Sequence, residues 1–70
     1  MAKANVTTVY RTEYYDNRLY SWVAFHEGTN LERARACLST PVIGDPRKRV
    51  AEYQKSGVRK VKYSFVGVIE

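Results

Sequence analysis

The sequence predicts an α+β domain of β-β-α-α-β order: a three-stranded, mainly antiparallel sheet built from a β-hairpin and a final strand, with two short helices on one face. Three observations carry this. Val6 to Tyr15 and Leu19 to His26 alternate and are rich in Val, Thr and Tyr on either side of Asp16-Asn17-Arg18. Thr29 and Asp45-Pro46 each open a segment with helix-start chemistry, and Val58 to Ile69 alternates again. Seventy residues make one domain, 1–70, and a chain this short buries only about 60% of its unfolded surface.

In the hairpin, Asp16 and Asn17 both tolerate positive φ, so a two-residue turn centred on them is the simplest connection. It pairs Tyr14 with Leu19 and Tyr10 with Val23. Thr29-Asn30-Leu31-Glu32 matches a capping box, in which Thr29 accepts an amide and Glu32 reaches back. Leu31, Ala34 and Leu38 follow at helical spacing, and Pro41 ends the segment, giving a helix over about Asn30–Ser39. Asp45-Pro46 is a second N-cap followed by proline at the first helical position, with Gly57 as a left-handed stop. In the last strand Val61, Tyr63, Phe65 and Ile69 share one face and Lys60, Lys62, Ser64, Val66 and Val68 the other. Its partner, the first strand or the second, is left open by the sequence.

The charge is uneven. The net charge is +5, yet residues 1–30 hold three cations and three anions, whereas residues 31–70 hold nine cations against four acids. Most of the excess sits in PRKRVAEYQKSGVRKVK, from Pro46 to Lys62. If a helix starts at Asp45, then Arg47, Lys48 and Arg49 stand at the end where the macrodipole disfavours cations by about 0.3 to 1 kcal/mol each. Such a violation marks either an anion site or cations that serve solubility, with Asp45 and Glu52 as offsets.

The hairpin register places Thr8, Tyr10, Thr12, Tyr14, Leu19, Ser21, Val23 and Phe25 against the helices. The opposite side then shows Val9, Arg11, Glu13, Tyr15, Tyr20, Trp22 and His26, joined in the last strand by Lys60, Lys62, Val66 and Val68. Alternating rings and cations suit base stacking and phosphate neutralisation. They equally suit a protein–protein hot spot, or the half-exposed face of an ordinary sheet. The candidate partner-binding residues are therefore Arg11, Tyr20, Trp22, Arg47, Lys48, Arg49, Lys60 and Lys62.

Catalytic chemistry is not expected. His26 and Cys37 are the single histidine and the single cysteine, too few for a zinc site, and no spacing pairs two carboxylates across a substrate or forms a phosphate-cradling loop. No cofactor is expected. One cysteine excludes an internal disulfide, and the opening MAKANVTTVYR has no apolar run of the secretory kind. The longest apolar runs, WVAF and VGVI, fall far short of the roughly 20 residues of a membrane helix. The expectation is a cytoplasmic protein.

The layout around LYSWVAFHEGTNLERARACLS is a tyrosine-rich strand that turns through a Thr-capped helix and returns as a final strand. It resembles the small proteins bacteriophages use in host takeover. The likeness covers most of the chain as an order of elements and carries no diagnostic residue string, so it transfers no site residues. It implies an inhibitor or regulator that docks on a host polymerase, nuclease or defence complex in the host cytoplasm. Many such proteins that imitate DNA are acidic; this chain is basic. The implied partner is thus an acidic region of a larger protein or nucleoprotein, with RNA or single-stranded DNA as the alternative ligand. A homodimer through an exposed sheet edge is a further possibility.

Overall fold

A computed structural model describes residues 6–70; the first five residues, part of the stretch read for a secretory signal, lie outside it. The described residues form a four-stranded, wholly antiparallel sheet of order β2-β1-β3-β4. The strands are β1 (Val6–Asp16), β2 (Ser21–Gly28), β3 (Lys48–Ser56) and β4 (Lys62–Val68). One helix, α1 (Leu31–Ala36), runs into a 3-10 turn, Cys37–Ser39. The α+β class and the antiparallel sheet agree with the sequence reading. Four strands and one helix replace the expected three and two.

The largest correction lies at Lys48–Ser56, where the second expected helix is instead the strand β3. Asp45-Pro46 is no helix start, because Asp45 closes a turn by donating its N–H to the Val42 carbonyl at 3.0 Å and holds φ of 46°. The cations at Arg47 to Arg49 therefore face no helix dipole, and the helix-terminus anion site expected there is withdrawn. The helix-favouring residues of VAEYQK lose to sheet closure: as the second neighbour of β1, β3 buries Val50 and Ala51 completely, and tertiary burial outweighs propensities of a few tenths of a kcal/mol per residue.

The hairpin forms, but four residues, Asn17 to Tyr20, make its loop. Asp16 pairs with Ser21 and Tyr14 with Val23. This is a slip of four residues from the expected Tyr14–Leu19 pair, and an even slip keeps the side chains from Ser21 to Ala24 on their faces, up to the bulge between Thr12 and Glu13. The loop is held by the Asp16 carboxylate, whose Oδ1 accepts the N–H of Arg18 at 2.8 Å and of Leu19 at 3.3 Å. Those bonds, led by the Arg18 amide, hold the Asp16 carboxyl below its ordinary value of 3.8. A depressed carboxylate contributes stability above its unfolded pKa and loses it as pH falls through the folded one. Thermal midpoints of the native chain should thus drop on acidification below the ordinary aspartate range. Asp16→Asn should lower the midpoint at neutral pH and flatten that acid-side decline.

α1 begins one residue later than expected. Its cap is Asn30, whose side chain accepts the Arg33 N–H at 3.2 Å. Ala34, fully buried, lets the helix backbone come close enough for the Thr12 hydroxyl to donate to the Ala34 carbonyl at 2.7 Å. Lys48 seals the end of the 3-10 turn by donating its ammonium to the Leu38 carbonyl at 3.3 Å and the Thr40 carbonyl at 2.5 Å.

β4 pairs with neither hairpin strand but with β3, through Tyr53–Phe65 and Lys55–Tyr63. Up to Phe65 its parity is the reverse of the sequence reading, whereas past the bulge Val68 lies opposite Ala51 on the side away from the helix, as the sequence reading has it. Tyr63 and Phe65 lie on the side away from the helix, and alternation puts Lys62 and Ser64 on the helix side. No helix among the described residues is long and apolar enough to cross a membrane.

Candidate functional site

α1 and the loop after it occupy one side of the sheet. The other side has no layer over it among the described residues, and its rings and charges are packed against one another. Two rows cross all four strands. In the first, the Arg49 guanidinium on β3 lies 4.3 Å from the centre of the Trp22 ring on β2 and 5.4 Å from that of Phe65 on β4. Its Nε donates to Glu13 on β1 at 2.7 Å. In the second, Arg11 on β1 sits 5.2 Å from both Tyr53 on β3 and Tyr63 on β4, and its Nε is 3.7 Å from Glu27 on β2.

Glu13 joins the rows. It is 1% exposed, and besides Arg49 it accepts the Tyr53 hydroxyl at 2.7 Å. A buried carboxylate is tolerable only with such partners. Burial, then the Glu13 carboxylate, pushes the Tyr53 phenol above its ordinary value and keeps it a donor. At the far end Lys55 donates to Glu27 at 3.4 Å, and Tyr63 donates to the same carboxylate at 3.2 Å. Tyr63 first, and then Glu27, raise the Lys55 ammonium above the usual lysine value.

Arg47 is different. Its guanidinium lies 5.0 Å from the Tyr15 ring centre and 5.9 Å from that of Trp22. No carboxylate pairs with it among the described residues. A guanidinium stacked on rings is held in orientation while its N–H edge stays available for two parallel bonds to a carboxylate or phosphate. The face carries four cations (Arg11, Arg47, Arg49, Lys55) and two acids (Glu13, Glu27), a surplus of two positive charges with Arg47 as its unpaired member.

The ring geometry bears on the ligand. Tyr15 and Trp22 meet edge to face at 73°, as do Tyr53 with Phe65 at 71° and Tyr53 with Tyr63 at 88°. Each of these rings also has a cation over it. A base stacking on this platform would first have to displace an arginine or lysine. A carboxylate approaching Arg47 displaces nothing.

The residues singled out from the sequence are thus brought together in part. Arg11, Trp22, Arg47 and Arg49 converge on this face. Tyr20 does not join them: it sits in the loop at φ of 52° and is 83% exposed. His26, beyond a bulge between Thr12 and Glu13, lies opposite Thr12 on the helix side. Lys48 is committed to carbonyls on that side as well. Lys62 points away from Trp22, and Lys60 lies in the β3–β4 turn.

The residues that sequence reasoning missed are Tyr53, Lys55, Tyr63 and Phe65, together with Glu27. The signal was present. Read as a strand, the basic segment alternates Arg47, Arg49, Ala51, Tyr53 and Lys55 against Lys48, Val50, Glu52 and Gln54, the same ring-and-charge composition as Arg11, Glu13 and Tyr15 on β1.

Elsewhere, an open cleft of about 910 Å³ on the helix side is lined by Tyr14, Phe25, Pro41, Val42 and Ile43 among others. Asn17, Arg18 and Thr40 also line it, but Asp16 spends its carboxylate on the Arg18 and Leu19 amides of its own loop. Among the described residues no His, Cys, Asp and Glu side chains cluster as metal ligands would. Comparison with protein-family models, with curated proteins and with solved structures finds no match to this chain.

Proposed function

We propose that this chain is a non-enzymatic binding protein that docks through its open sheet face on an acidic region of a larger cytoplasmic protein or nucleoprotein, and acts there as an inhibitor or regulator. The observation that carries the reading is Arg47, a guanidinium stacked on Tyr15 and Trp22 with no acid of its own among the described residues. Stacked arginine beside tryptophan and tyrosine is the composition of a binding hot spot. The surplus charge steers an acidic partner, and the Trp22 indole supplies apolar area. Binding of RNA or single-stranded DNA by base stacking is the lesser reading, because the rings carry their own cations.

The test is capture from nuclease-treated extract by the immobilised native chain, Trp22→Ala and Arg47→Glu. The native chain should retain one dominant acidic protein species, and each variant should lose at least about tenfold in retention, the effect of a hot-spot residue. Circular dichroism should show both variants folded, since neither side chain is among the buried residues. Retention unchanged in both variants, or retention that vanishes with nuclease treatment, would remove the reading.

A further inference from the structure

The two edges of the sheet are unlike. α1 follows β2 and packs on both β1 and β2, while among the described residues nothing packs along the open side of β4. Along β4 and its flanks Val61, Tyr63, Phe65, Val66, Val68 and Ile69 are each between 37% and 55% exposed. Natural sheets blunt such edges with lysines, prolines or a covering element. Here the stretch from Tyr63 to Ile69 has neither a charge nor a proline.

The hydrogen-bonding direction follows from the register. Tyr15 N–H donates to the Arg47 carbonyl, so in β3 the odd residues bond to β1 and the even ones to β4. The bonds between Val50 and the Ile69–Glu70 segment fit this alternation. Lys62 and Ser64 therefore spend their backbone groups on β3, and the N–H and C=O of Tyr63 and Phe65 point to the open edge.

We infer that β4 pairs antiparallel with β4 of a second copy of this chain, joining two four-stranded sheets into one of eight. The bulge on the β3–β4 ladder leaves Val66 as the extra residue between Phe65, opposite Tyr53, and Gly67, opposite Glu52, so a regular register runs from Lys62 to Phe65. Ahead of the bulge, a two-fold axis through Ser64 places Tyr63 opposite the second copy's Phe65, so both outward backbone pairs are satisfied and the rings meet on the outer face. The same register brings Lys62 beside the second copy's Val66, the bulged residue at the end of the paired stretch. Charge favours a copy in this orientation. Antiparallel pairing lays the basic end of one strand (Arg59, Lys60, Lys62) beside the end of the other near Glu52; Glu70 at that end is already paired with Arg35 at 3.0 Å. Glu52 has no ion partner among the described residues, and Gly67 opposite it has no side chain in the way. The aromatic and cationic face would then run unbroken across both copies.

Sedimentation equilibrium of the full chain, from micromolar to millimolar, tests this. The mass should rise from 8.1 kDa towards twice that value. Val66 is exposed, so substitutions there leave the fold intact. Val66→Lys sets like charges beside each other at two symmetric positions and should raise the dimer dissociation constant about tenfold. Val66→Glu sets opposite charges there and should lower it. A native chain that stays at 8.1 kDa throughout, or two substitutions that shift the equilibrium in the same direction, would overturn the inference. Docking through Trp22 and Arg47 does not involve Val66, so a monomeric chain that still captures its acidic partner refutes the dimer alone.

Discussion

Replacing Glu13 with alanine should destabilise the protein by about 3 kcal/mol, the low end of what breaking a buried ion pair costs. Glu13 is almost fully buried, while Arg49 keeps 18% of its side chain exposed and can turn partly to water. In the variant the Tyr53 hydroxyl loses its acceptor and Arg49 its carboxylate, and both stay wedged among rings. For a chain of this size the thermal midpoint should fall by about 15 °C. Replacing both charges, as in Glu13→Leu with Arg49→Met, should recover most of the loss, because the desolvation penalty then disappears along with the pair. Equilibrium urea denaturation of the single and double variants checks this. A cost below about 1 kcal/mol for Glu13→Ala, or a double variant no better than the single, would mean that the outer face is not organised around this carboxylate.

The second large effect is expected at Gly57, which turns the chain from β3 into β4 with φ of 93°. A Cβ there would stand 2.2 Å from the Lys60 carbonyl oxygen, a backbone atom that cannot rotate aside. Gly57→Ala should therefore cost more than the roughly 1 to 2 kcal/mol of a left-handed alanine alone, because the turn has to open. Gly44 provides the control: its φ is 86°, yet nothing lies within 4 Å of an added Cβ. Gly44→Ala should cost only the conformational part. Amide hydrogen exchange should show β4 opening selectively in Gly57→Ala while α1 keeps its protection. Equal costs at the two glycines would contradict the close approach.

Much of the first half of the fold is legible in the sequence. β1, β2 and α1 announce themselves through alternation, loop chemistry and an N-cap within one residue of its place. The hairpin slips by four because Tyr20, which reads as a strand residue, occupies a left-handed loop position; the even slip is why Trp22 nonetheless lands on the outer face. β3 is not legible locally. Its Ala, Glu, Gln and Lys favour helix, and what makes it a strand is the unpaired side of β1, a non-local demand. The inverted parity of β4 up to Phe65 follows from the same gap, since its faces are set by pairing with β3 and by the bulge on that ladder. The site divides likewise. Arg11, Trp22, Arg47 and Arg49 could be named from composition, although for Arg47 and Arg49 the reasoning invoked a helix terminus that does not exist. Tyr53, Tyr63 and Phe65 needed the strand pairing.

Trp22 is the single tryptophan of the chain and lies beside both Arg47 and Arg49, so its fluorescence reports on the ring-and-cation face directly. Titration of the native chain with a glutamate-rich peptide and, separately, with an oligothymidylate should move the emission saturably with the peptide and far less with the oligonucleotide. The peptide response should weaken as salt rises and disappear in Arg47→Glu. Tighter binding of the oligonucleotide than of the peptide, or a peptide response that survives Arg47→Glu, would contradict docking of carboxylates on the stacked guanidinium.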